Sequence, residues 1–125
     1  MSEQNKNIVQ EINASFMEGN TEKFLSLCDE NVRWDLLGEK SIEGKTAIRE
    51  FMSAMDGCPA PQFSVRDIVA DGDVVMCHGD MKMKDDKGAD QEYGYCDVYH
   101  FAGGQVTSLR SYIVPFKKGE ENATN

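Results

Sequence analysis

The sequence predicts an α+β fold, with helices gathered in the first half of the chain and antiparallel strands in the second. Three observations carry this. Apolar residues recur at helical spacing near the N-terminus, β-branched and aromatic runs with period two fill the remainder, and short loops rich in Gly and Asp separate those runs. Helices first and hairpin-linked strands afterwards is the α+β order, whereas a parallel sheet would alternate the two.

Ile8, Val9, Ile12, Phe16 and Met17 mark the first helix, which stops at Gly19-Asn20, a plausible C-cap. Thr21 reads as the N-cap of a short second helix with Phe24, Leu25, Leu27 and Cys28 inward, ending near Asp29-Glu30-Asn31. Val32 to Leu37 has strand composition, and Gly38 breaks it. A third helix is predicted over 44–55, and Gly57-Cys58-Pro59-Ala60-Pro61 terminates it. Gln62 to Val69, Asp73 to Lys84, Gln91 to Phe101 and Val106 to Val114 are the predicted hairpin strands.

The 125 residues match the size of one domain, taken as 1–125 with an ordered core from about residue 5 to 117 and a polar tail over 118–125. With 40% hydrophobic and 28% charged residues the chain can bury a core, so disorder is excluded. The net charge of -9 repels phosphate backbones and anionic lipid, so neither nucleic acid nor membrane is an expected partner. The polar start, Met1 to Asn7, has no apolar signal core, and no run approaches the roughly 18 residues of a span, so the expected location is cytoplasmic. Cys28, Cys58, Cys77 and Cys96 form no C-x-x-C pair. They signal neither a metal site nor a redox motif and are expected as reduced thiols, with Cys77 and Cys96 able to meet across neighbouring strands.

Two stretches carry a resemblance. Trp34-Asp35-Leu36-Leu37-Gly38, followed by Ile42 to Phe51 with Gly-x-x-Ala-Ile-Arg-Glu-Phe, resembles the strand, loop and helix of bacterial ketosteroid isomerases and SnoaL-like polyketide cyclases. Cys96 to Arg110 is similar to the last two strands and glycine turn of the same families. The chain thus resembles the nuclear transport factor 2-like superfamily over nearly its whole length. That resemblance implies a cystatin-like cone: three N-terminal helices packed on a strongly curved, mixed but mostly antiparallel sheet that encloses a pocket. It also implies no cofactor.

In the isomerases the residue matched by Asp35 is a general base, and the residue matched by Asp97 stays protonated and donates to the developing enolate. The resemblance therefore nominates Asp35 and Asp97 as catalytic, in one apolar pocket. Aligning Gly19 puts Ile12 where those enzymes carry a helix-one Tyr donor, a loss worth ~100 to 1000-fold in rate, which argues against strict steroid isomerisation. Tyr95 or Tyr99 could substitute, because Tyr93, Tyr95, Asp97, Tyr99 and Phe101 share a strand face. By the same parity Val75, Cys77, Gly79, Met81 and Met83 face the pocket, as do Thr107, Leu109, Ser111 and Ile113. The expected ligand lining is Ile12, Phe16, Trp34, Phe51, Met55, Cys77, Met81, Tyr95, Tyr99, Leu109, Ser111 and Ile113, which suits a small hydrophobic, oxygen-bearing molecule.

His78-Gly79-Asp80 resembles the Arg-x-Asp pair of limonene-epoxide-hydrolase-like members, but parity sends His78 and Asp80 to the convex face. Arg110, Tyr112 and His100 share that face, where a homodimer contact is expected. Three functions stay open at this point: a cofactor-free proton-transfer enzyme such as an isomerase or cyclase, a non-catalytic small-ligand binder, and an interaction module using the sheet.

Overall fold

The apolar stripe through Val9, Ile12 and Phe16 lies on helix α1 (Ser2–Glu18) of the computed structural model, which describes residues 2–55, 61–85 and 87–116. Gly19, at φ 70°, closes α1, and the Asn20 amide behind it donates to Ser15 O at 2.8 Å. This left-handed turn costs glycine nothing, because it has no Cβ. Asn20, not Thr21, caps α2 (Thr21–Ser26), its side chain accepting from the Lys23 amide at 3.1 Å. The residues expected to end that helix are instead extended, as the start of β1 (Cys28–Leu36).

A short strand, β2 (Lys40–Glu43), was not expected. It pairs antiparallel with Arg33 to Leu36, and only Ile42 of its four residues is buried, so no alternating pattern announces it. Helix α3 (Lys45–Ser53) ends two residues before Met55. Residues 56–60, which hold Cys58 and most of the expected terminator, lie outside the described residues, as does the expected tail. The four remaining strands are β3 (Gln62–Asp71), β4 (Val74–Lys84), β5 (Asp90–Ala102) and β6 (Gln105–Pro115).

The six strands form one sheet in the order β2-β1-β6-β5-β4-β3, antiparallel throughout except where β1 runs parallel to β6. Its curled inner face carries the helices. Val9 and Ile12 of α1, Phe24 and Leu25 of α2 and Ile48 of α3 are buried with Val32, Val75, Cys77, Tyr99 and Leu109 of the strands. Each fully buried apolar side chain of this size stabilises the fold by ~1.5–3 kcal/mol. No helix among the described residues is long and apolar enough to cross a membrane.

Candidate functional site

Strand alternation decides which side chains meet on the inner face. Along β5 the rings of Tyr95, Tyr99 and Phe101 are buried, and Asp97 shares their row, opposite Cys77 of β4 and Ser111 of β6. Asp97 keeps some accessible surface, yet burial pushes its carboxyl up from 3.8 to about 6, with the neighbouring Ser111 side chain acting the other way. A carboxyl that is dehydrated by its surroundings but still reachable can hold or release a proton near neutral pH.

Further polar groups converge on this row. Trp34 Nε1 donates to Ser111 Oγ at 3.0 Å, and both residues are buried. Asn13 Nδ2 donates to Cys77 Sγ at 3.5 Å. The Tyr95 hydroxyl donates to Ser64 O at 3.0 Å on β3. The Tyr99 hydroxyl is buried with no partner among the described residues, and burial holds both phenols well above their usual pKa. Burial likewise raises the Cys77 thiol. Aromatic and thioether side chains border the cluster: Phe16 stacks on Trp34 with centroids 6.2 Å apart, Phe51 meets the indole edge-on at 5.8 Å, and Met81 and Ile113 are half-buried.

Asp35 is not part of this cluster. In the second half of β1, Val32, Trp34 and Leu36 alternate as the buried residues, so Asp35 projects with Arg33 to the outer face. There Arg33 Nε donates to Asp35 Oδ1 at 2.8 Å, and Ser41, Arg33 and Arg110 together hold the carboxyl below its usual range. The pairing of Asp35 and Asp97 in one pocket is therefore overturned. Asp35 instead lines an outer depression of about 400 Å³ with Arg33, Lys40, Ser41 and Arg110.

Three other placements change. Met55 lies beyond α3 and is 47% exposed, so it does not line the inner face. Cys77 and Cys96 point to opposite faces, since Cys77 stands opposite Asp97 while Cys96 stands opposite His78, and both are free thiols. The β5–β6 register shifts at His100/Phe101, so Val106 takes the buried position and Thr107 Oγ1 donates to His100 O. Residues expected on the convex side are found there. His78 Nε2 lies 2.8 Å from Asp67 Oδ2, Arg66 pairs with Asp80, and Arg110 sits over the Tyr112 ring. A second outer depression, of about 480 Å³, runs between Arg66, His78, Cys96, Tyr112 and Phe116.

Asn13 is a site residue that the sequence reading passes over. Its signal is present: Val9, Ile12, Asn13 and Phe16 form an i, i+3, i+4, i+7 stripe, and a buried amide inside such a stripe needs a partner.

The family model for the SnoaL-like domain matches residues 9–109, a span that contains Asn13, Trp34, Cys77, Asp97 and Tyr99. The chain belongs to the SnoaL-like family. Among solved structures, this SnoaL-like chain is similar to a protein from Jannaschia provisionally assigned as a SnoaL-like polyketide cyclase (TM-score 0.80, 16% identity, 90% of this chain and 86% of that one). It is similar also to an epoxide hydrolase of the LEH-like type from M. tuberculosis (TM-score 0.79, 15% identity, 90% and 84%). A third is a provisionally assigned ketosteroid isomerase from Kribbella flavida (TM-score 0.78, 17% identity, 93% and 82%). Comparison with curated protein sequences gives no significant match. At such identities the likeness is one of nuclear transport factor 2-like fold, and three differently named relatives on one scaffold leave function to be argued from the inner face.

Proposed function

We propose that this SnoaL-like protein binds a small, mostly apolar, oxygen-bearing molecule against the concave face of its sheet, and that Asp97 exchanges a proton with it. The observation that carries this reading is the Asp97 carboxyl, raised to about 6 on a row otherwise made of buried aromatic and thiol groups. At neutral pH such a group is mainly a carboxylate that a modest change in surroundings reprotonates. Asn13 and the Tyr99 hydroxyl, which has no partner among the described residues, add donor capacity, and an unsatisfied buried hydroxyl gains from a ligand acceptor. Phe16, Phe51, Met81 and Ile113 supply the apolar walls.

The chemistry within reach is cofactor-free proton transfer at a carbon beside a carbonyl. Asp97 takes the proton, a donor on the inner face receives the developing negative charge on oxygen, and the same carboxyl returns the proton. The test is exchange of α-protons for deuterium in small bicyclic ketones, followed by NMR in deuterated buffer. Wild type should exchange them faster than buffer, and Asp97→Asn should not. Binding without exchange would select the second reading, a ligand binder, which the absence of Asp35 from this face favours. Ketone-induced shifts confined to outer-face resonances would contradict both.

The outer face carries exposed Val69, Met76, Tyr112 and Val114 beside its ion pairs. Pairing with a second copy through this face is the partner we propose, because exposed apolar area interleaved with both charge signs suits a self-complementary contact.

A further inference from the structure

We propose that Trp34 is a positioning residue for Asp97, acting through Ser111: the indole N–H fixes the serine hydroxyl so that its single proton is delivered to the carboxylate. An indole nitrogen is a donor only, and a serine hydroxyl has one proton to give. Trp34 Nε1 donates into Ser111 Oγ at 3.0 Å, so the serine proton must turn elsewhere. Ser111 stands opposite Asp97 in the β5–β6 register, which sets its side chain on the same face beside the carboxyl, whose charged form it favours.

The donor end is held rigidly. The indole is stacked on Phe16 with an interplanar angle of 13° and is flanked edge-on by Phe24 and Phe51, so it has little freedom to withdraw its N–H. Ser111 itself is 4% exposed, which leaves little water to compete for its hydroxyl. Around Asp97 stand Cys77 of β4, Tyr95 and Tyr99 of β5, Ser111 of β6 and, beyond Cys77, Asn13 of α1. The thiol and both phenols are held protonated by burial, so within this cluster the carboxyl is the group that changes charge near neutrality.

The relay favours the charged carboxyl and so opposes the effect of burial. Without it, Asp97 keeps its proton to higher pH. This bears on ligand choice, a consequence that rests on the ligand-binding reading: a protonated Asp97 donates to a ketone oxygen, an ionised one accepts from an alcohol or phenol, and the relay sets the pH at which one preference replaces the other.

Trp34 is the chain's single tryptophan, so its emission reports on the relay in the unaltered protein. We expect wild-type emission to follow a sigmoid in pH with a midpoint near the Asp97 value of about 6, and Asp97→Asn to flatten it. The two histidines lie on the outer face and remain in that variant, which separates their effect. In Ser111→Ala, the Asp97 carboxyl observed by carbon-13 NMR should titrate about 0.5 pH unit or more higher, while the indole stops following it. Flat wild-type emission between about pH 4.5 and 7.5, or a sigmoid that survives in Asp97→Asn, would overturn the proposal. So would an unmoved carboxyl midpoint in Ser111→Ala. Should that variant not fold, the wild-type and Asp97→Asn titrations still decide the matter. None of these readouts involves a ligand, so failure to bind ketones and failure of the relay are separate results.

Discussion

Asp97 makes the protein's stability depend on pH in a direction opposite to most carboxylates. Its folded pKa, about 6, lies above the 3.8 of an ordinary carboxyl, so the folded chain holds a proton that the unfolded chain releases. Stability from this group is therefore complete below pH 3.8 and is lost as pH rises through about 6, a cost on the order of 3 kcal/mol once ionised. Asp97→Asn should remove most of this slope and leave the protein ~1–3 kcal/mol more stable than wild type at pH 7.5, read by urea unfolding at pH 5 and 7.5. Asp35 behaves in the reverse sense, its depressed pKa contributing a little stability that acid removes. Asp35→Asn should leave ketone affinity within about twofold of wild type by calorimetry, because the side chain faces away from the inner row. The two carboxyls also show what a sequence yields at this scale. Asp97 is legible because it alternates with Tyr95 and Tyr99. For Asp35 the resemblance to the isomerase pattern points inward while alternation with Val32, Trp34 and Leu36 points outward, and burying an indole outweighs sequence analogy. Asn13 is legible in the helical stripe but is hidden among apolar neighbours that dominate its reading.

At the level of strands and helices, Gly79 fixes how closely β3 can approach β4. A Cβ at this position would collide with the Ser64 carbonyl oxygen beside the irregularity at Val65/Asp67. The same carbonyl accepts from Tyr95, so the strain would reach the inner row. Gly79→Ala should destabilise the fold by ~2 kcal/mol or more in thermal or urea unfolding and weaken ligand binding with it. The four long strands were legible to within two residues at each end, because turn residues and period two mark them from both sides. Element ends set by one side chain were harder: Asn20 and Thr21 are both good caps, and the geometry chose the amide. β2 carries a single buried residue, and the Thr107 irregularity adds one residue without any change in composition, so neither leaves a periodic trace.

For the whole molecule, the order of elements and the closing glycine turn were enough to point to the cone-like α+β architecture that the family match and solved relatives support. What the order of elements does not carry is the parallel pairing of β1 with β6, a contact between segments some seventy-five residues apart. That pairing brings Trp34 of β1 beside Ser111 of β6 and so completes the inner cluster. The opposite face bears on assembly. If two copies join through the outer sheet, Met76→Glu or Val114→Asp should convert a dimer to a monomer by light scattering while leaving α-proton exchange per chain unchanged; a wild-type monomer at high concentration would contradict that assembly. The central claim concerns the inner face, and the most direct measurement on it is the carbon-13 titration of the Asp97 carboxyl, assigned by comparison with Asp97→Asn. A midpoint close to 6 is the predicted result, and a midpoint at or below the ordinary carboxylate value of about 3.9 would contradict it.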